Sequence, residues 1–182
     1  MGGSSADIVG VIKALNLLDG KQKDIKNLAD RLGSDAGYMI GGGFAVISGR
    51  GEEVLKIEHD GKFYLLIISG EGQISAKDCY KKFDELKTER KESTEKATEY
   101  LQKDSEEFFD VLKNDLYVPA TTFAPYLKDE ISDLKKSGAK AALMTGSGSC
   151  VYGLFTSKKE RNVAFSALKK IYKTRLIKAN TL

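Results

Sequence analysis

The chain has 182 residues, of which 41% are apolar and 30% charged, the balance of a globular protein with enough hydrocarbon to bury a core. Its net charge of +3, from 29 basic and 26 acidic residues spread along the whole length, builds no arm for a nucleic-acid partner. Apolar runs such as Phe63 to Ile68 fall far short of the roughly 20 residues that cross a bilayer, and Met1-Gly2-Gly3-Ser4-Ser5 is no secretory signal, so no membrane partner and a cytoplasmic location are expected.

In chain order, the glycine-serine start runs into a helix with Ile8, Val11, Ile12, Leu15 and Leu18 at helical spacing, ended by Asp19-Gly20. A second helix, about Asp24 to Leu32, places Ile25, Leu28 and Leu32 on one face and stops at Gly33. The glycines from Gly41 to Gly43 precede an apolar strand, Phe44 to Ile47, and Gly49 and Gly51 mark a turn. Strands are predicted over Glu53 to His59 and Phe63 to Ile68, joined as a hairpin by Asp60-Gly61. Beyond Gly70 and Gly72 a helix starts near Ser75, and the charged stretch from Lys77 to Lys113 predicts two long helices. The part from Lys87 to Glu107 is polar enough to be partly mobile. Pro119 and Pro125 bracket a loop, and a helix through Leu127, Ile131 and Leu134 ends at Gly138. Then come strands Ala141 to Thr145 and Cys150 to Thr156, a helix from about Lys158 to Lys173, and an edge strand at Leu176-Ile177. From Phe63 onward this order matches the split βαβ plan of ferredoxin-like domains, so the fold class is α+β.

Three segments have the composition of a site. In Gly2-Gly3-Ser4-Ser5-Ala6-Asp7, glycines let a backbone approach a ligand and the following helix adds unpaired N–H groups, an arrangement that suits a polyphosphate. Ser4 or Ser5 would orient a phosphate or a magnesium ion; alternatively Ser4 merely caps the helix, with Asp7 as its capping-box partner. In Leu32-Gly33-Ser34-Asp35 a carboxylate stands just beyond a helix end, where it would accept the proton of an attacking hydroxyl or, more plainly, form a turn. Thr145-Gly146-Ser147-Gly148-Ser149 between two apolar strands is room for a substrate or a β-turn. Asn114-Asp115-Leu116 reads as a helix-end turn, His59 as solvated and Arg50 as an exposed turn residue. Cys79 and Cys150 stand far apart, which argues for half-buried thiols and against a metal site or disulfide framework.

Taken together, the order and spacing of the first two segments and the triple glycine resemble the central portion of GHMP kinases. The run from Leu143 to Phe155 resembles that family's third conserved motif. Gly70-Glu71-Gly72-Gln73-Ile74-Ser75, Tyr80, Asp84 and Asn114-Asp115-Leu116 are most similar to the branch that acts on a cytidyl diphosphate sugar alcohol. The resemblance implies the C-terminal part of the GHMP kinase fold: a remnant of the N-terminal ATP-binding domain over residues 1–60 and a ferredoxin-like domain over 61–182. It implies ATP and Mg2+ as cofactors, with Gly2, Gly3, Ser4 and Ser5 in the ATP phosphate loop and Asp35 as the catalytic base. It further implies that Gly146, Ser147 and Gly148 form a loop that shapes the substrate-binding cleft. The reaction implied is transfer of the γ-phosphoryl group to the 2-hydroxyl of that sugar alcohol, in isoprenoid precursor synthesis, by a monomer or homodimer. In the family an upstream third of the chain supplies a lysine beside the catalytic aspartate, much of the adenosine pocket and the aromatic clasp on cytosine; this sequence is expected to be a truncated form without them. Alternatives are another GHMP small-molecule kinase and a non-catalytic nucleotide-binding remnant.

Overall fold

A computed structural model describes residues 2–20, 24–87 and 93–181. They form two compact units, one within residues 2–59 and one within 60–181.

The first unit opens with three helices, α1 (Gly3–Asp19), α2 (Ile25–Leu32) and α3 (Ala36–Gly41), followed by strands β1 (Phe44–Ser48) and β2 (Glu53–Ile57). Gly20 ends α1 in the left-handed region, and Asp24 starts α2 by accepting hydrogen bonds from the N–H groups of Lys26 and Asn27. Val9, Ile12, Ala29 and Ala36 are the core, with Ile8, Ile25, Met39 and Ile40 against it. The expected apolar face of α1 therefore divides. Ile8 and Ile12 turn inward with Val9, whereas Val11, Leu15 and Leu18 are 59%, 60% and 84% exposed. Spacings of three and four fit two stripes about 100° apart on one helix, and the inward one meets the small residues Ala29 and Ala36, which let the helices approach. For the same reason α2 buries Ala29 and leaves Leu28 and Leu32 exposed.

Helix α3 forms over residues for which the sequence predicted no element; Gly42 and Gly43, at φ +59° and +81°, turn the chain out of it. The hairpin expected at Asp60-Gly61 does not form. Strand β2 instead pairs antiparallel with β1, Phe44 opposite Ile57 and Ser48 opposite Glu53, through the turn that Gly49 and Gly51 mark. The two runs flanking Asp60 differ in need: Glu53 to Ile57 keeps polar residues for water, while Tyr64 to Ile68 is apolar on both faces and requires cover on both.

In the second unit, strands β3 (Tyr64–Ile68), β4 (Ala141–Met144), β5 (Val151–Phe155) and β6 (Leu176–Asn180) make one antiparallel sheet in the order β4-β5-β3-β6, the split βαβ arrangement expected. Its helices are α4 (Ala76–Leu86), α5 (Thr94–Gln102), α6 (Phe108–Val111), α7 (Tyr117–Phe123), α8 (Leu127–Lys136) and α9 (Lys158–Tyr172). Side chains alternate across the sheet. Leu66, Ile68, Ala142, Met144, Val151 and Phe155 enter the main core with Leu127 and Leu134 of α8 and Leu168 of α9. Leu65, Ala141, Leu143, Tyr152 and Leu154 face the other way, toward Phe63, Phe109 and Leu112, with Phe63, Phe108 and Phe109 ring against ring at 5.5–5.7 Å between centroids.

Two expectations here are corrected. The charged stretch forms α4, α5 and the single turn α6 in place of two long helices, and its expected mobile part falls partly on residues 88–92, outside the described residues. Pro119 lies inside the first turn of α7 and not in a loop; no intrahelical partner awaits its missing N–H there. Cys79 is fully buried where a half-buried thiol was expected, and burial pushes its thiol above the usual range; Cys150 is half-buried as expected.

Candidate functional site

Helix α1 begins at Gly3, with Gly2 before it in the left-handed region at φ 62°, ψ 29°. No side chain caps this end, so the reading of Ser4 as cap with Asp7 is not realised. Gly2 adopts its left-handed φ without strain, and the end of the flexible Met39 side chain packs against it. Gly3, Ser4 and Ser5 form the first turn, where the N–H groups of a helix have no carbonyl of their own to meet and the helix dipole is positive. Their side chains part company. Ser4 is exposed, whereas Ser5 is buried, its Oγ 3.4 Å from where a Cβ on Gly33 would stand.

Asp35 lies in the stretch that Ser5 touches. It occupies the N-cap position of α3, exposed, and its carboxylate makes no hydrogen bond to that helix's N–H groups. The loop is held by backbone: the Ala36 N–H donates to the Gly33 carbonyl at 3.0 Å, the Met39 N–H to that of Asp35 at 3.1 Å, and the Ser34 carbonyl lies against Gly51. Gly33 on one side of Asp35 and Met39 on the other both touch the opening turn of α1. The fold thus brings Gly2 and Ser5 together with the Asp35 loop, although some thirty residues of sequence separate them. Sequence reasoning missed Met39, whose contact with Gly2 only packing reveals.

Gly146, Ser147 and Gly148 belong to the second unit, in the turn from β4 to β5. The Thr145 N–H donates to the Cys150 carbonyl and the Gly148 N–H to that of Thr145, both at 3.0 Å, with Gly146 and Gly148 at φ 56° and 95°. Two side chains hold this turn from opposite ends. The Asn114 amide donates to the carbonyls of Met144 at 2.8 Å and Gly146 at 2.9 Å while its oxygen accepts from the Leu116 N–H, so Asn114 does more than end a helix. The buried Ser149 hydroxyl donates to the Gly72 carbonyl. Beside Asn114 runs a cleft of about 270 Å³ between Lys113, Tyr117, Ile131, Lys135 and Met144, where burial raises the Tyr117 phenol above its usual range and the Asp129 charge adds to it.

His59 is half-buried with its ring edge-on to Phe44 at 5.0 Å, which corrects the expectation of a solvated side chain. Arg50 is exposed in the β1–β2 turn as expected. Among the described residues no cluster of three or more His, Cys, Asp or Glu is arranged to hold a metal ion, and no helix is long and apolar enough to cross a membrane.

Residues 95–174 match the family described as GHMP kinases, C terminal. The chain is 32% identical over 176 residues to 4-diphosphocytidyl-2-C-methyl-D-erythritol kinase of Caldanaerobacter subterraneus, a match covering 94% of this chain and 61% of that one. A crystal structure of 4-(cytidine 5'-diphospho)-2C-methyl-D-erythritol kinase superposes with a TM-score of 0.81 at 25% identity, over 98% of this chain and 65% of that one. Mevalonate kinase of L. major, at a TM-score of 0.79 and 17% identity over 99% of this chain and 65% of that one, shares the fold. The chain thus spans less than two thirds of the length of these relatives.

Proposed function

We propose that this chain, whose residues 95–174 match the C-terminal domain of GHMP kinases and whose fold superposes on a kinase of that kind, provides the phosphate-binding and base side of an ATP-dependent kinase. The substrate in this reading is 4-diphosphocytidyl-2-C-methyl-D-erythritol, phosphorylated on its 2-hydroxyl in isoprenoid precursor synthesis in the cytoplasm. One observation supports it above the others: the uncapped opening turn of α1 and the loop bearing the uncommitted carboxylate of Asp35 are in contact.

The roles follow from phosphoryl-transfer chemistry, which asks for positioning and for charge stabilisation. Gly2 and Gly3 give the ATP phosphates close access to the backbone, and the N–H groups of the first turn of α1 meet them with partial positive charge. Ser4 presents its hydroxyl; Ser5, whose side chain is buried on Gly33, contributes its N–H and the spacing to the Asp35 loop. Asp35 accepts the proton of the 2-hydroxyl as that oxygen turns toward phosphorus. Gly146, Ser147 and Gly148, held by Asn114 and Ser149, shape the substrate side. Mg2+ arriving with ATP would supply charge neutralisation on the phosphates, and the exposed Ser4 hydroxyl would be the side chain of this turn available to meet it, in keeping with an ion that leans on phosphates and water.

The test is ADP release with the cytidyl substrate, using this chain fused behind the portion of the Caldanaerobacter relative that the match does not cover. Asp35→Asn is expected to lower kcat by about 10²- to 10⁴-fold with ATP affinity unchanged. Undiminished turnover by that variant, or preference for homoserine or mevalonate over the cytidyl substrate, would reject the reading. A second reading is a nucleotide-binding module without turnover; calorimetric ATP binding together with an inactive fusion would select it.

A further inference from the structure

We infer that Arg175 is a positioning residue for the loop that carries Gly146, Ser147 and Gly148, acting through the segment Ser69-Gly70-Glu71-Gly72. Arg175 stands in a short 3₁₀ turn between α9 and β6. Its Nε donates to the Ser69 carbonyl at 2.7 Å, one terminal nitrogen to Glu71 at 2.7 Å and the other to Glu130, while the Ser69 N–H donates back to the Arg175 carbonyl at 2.8 Å. Five donors in one rigid plane let a guanidinium satisfy three acceptors at once.

The chain of contact then continues. The Gly72 carbonyl accepts the Ser149 hydroxyl, and Gly70 lies so close beneath Ser149 that a side chain there has no space. Gly148 is pressed against Ile74 and Met144, where an added Cβ would stand 2.9 Å from each. The turn therefore takes its place from segment 69–74 on one side and from Asn114 on the other, and Arg175 is the cation that ties that segment down. Glu130 fixes Arg175 in turn: it is 3% exposed, and its second oxygen has no hydrogen-bond partner, so its carboxylate is committed to this contact. The ring of Tyr172 lies 5.8 Å from the guanidinium and its hydroxyl is anchored on Asp133 at 2.7 Å.

That the positioned loop serves a substrate rests on the kinase reading, so the experiment separates the two. Amide hydrogen exchange on this chain needs no substrate. Arg175→Met is expected to speed exchange at the Thr145 and Gly148 amides, which donate the two hydrogen bonds of the turn, at least tenfold while the β5 amides from Tyr152 to Leu154 keep their rates. Ser149→Ala is expected to do the same, and the double variant to add nothing, because both act on one contact chain. Should Arg175→Met fail to fold with Glu130 left unpaired, Arg175→Met with Glu130→Gln removes both charges. Arg175→Lys is expected to restore little, since one ammonium cannot reach Ser69, Glu71 and Glu130 together. Unchanged exchange in the turn, or independent and additive effects of Arg175→Met and Ser149→Ala, overturns the inference. In the active fusion the same variant raises KM more than it lowers kcat; exchange that responds while KM does not would support positioning and count against the substrate role of the loop.

Discussion

Gly51 sets how far the Asp35 loop reaches. It is buried, at φ +115°, and the backbone carbonyl of Ser34 lies where its Cβ would stand. A methyl group there meets backbone, which cannot rotate aside as a flexible side chain would, and must also hold a left-handed conformation. Gly51→Ala is therefore expected to destabilise the chain by more than about 1 kcal/mol in urea unfolding. Because the displaced group is next to Asp35, turnover of the fused enzyme is expected to fall with it. Unchanged stability would show that the Ser34 carbonyl does not press on Gly51. None of this was legible in Gly49-Arg50-Gly51, which by itself announces a turn and no more. A glycine's neighbours are chosen by the fold.

Among the elements, α1 shows how far periodicity reaches. A helix there is dictated by its apolar repeats, but the stripe that turns inward is decided by Ala29 and Ala36, small residues on other helices. Substitution separates the stripes. Ile12→Ala removes a buried side chain and is expected to cost about 2–5 kcal/mol, whereas Leu15→Ala, already in water, is expected to stay within about 0.5 kcal/mol. Equal losses would mean that the exposed stripe is covered. Helix starts were more readable: the side chains of Asp24, Ser75 and Ser157 accept hydrogen bonds from the first turns of α2, α4 and α9, since a cap is a contact within three residues. Helix α3 escaped because its six residues are too few to show a period.

For the molecule as a whole, ionisation links stability to alkali. The Tyr172 phenol is held well above its ordinary value of about 10 by burial first, then by its hydrogen bond to the Asp133 carboxylate. Burial raises Tyr117 and Tyr152 in the same direction. The sign is fixed: a group whose folded pKa is raised contributes its stability in full below the unfolded pKa. That contribution is lost as the pH climbs toward the folded value, because the unfolded chain gives up its proton first. Urea midpoints are expected to be flat approaching pH ~10 and to fall beyond it, with Tyr172→Phe flattening part of that fall. An identical slope in the variant would remove Tyr172 from the account.

The sequence by itself determined what depends on near neighbours: most of the helices and strands, and the glycine-serine and Gly-Ser-Asp segments as chemistry worth watching. Their family resemblance was carried by short runs of adjacent residues for the same reason. Only tertiary structure decided that Ser5 turns onto Gly33, that β2 joins β1 and leaves Asp60-Gly61 unfolded into a hairpin, and that Arg175 reaches Ser69 across 106 residues. Such contacts are chosen by which surfaces can be buried together, a competition over the whole chain that no local spacing records.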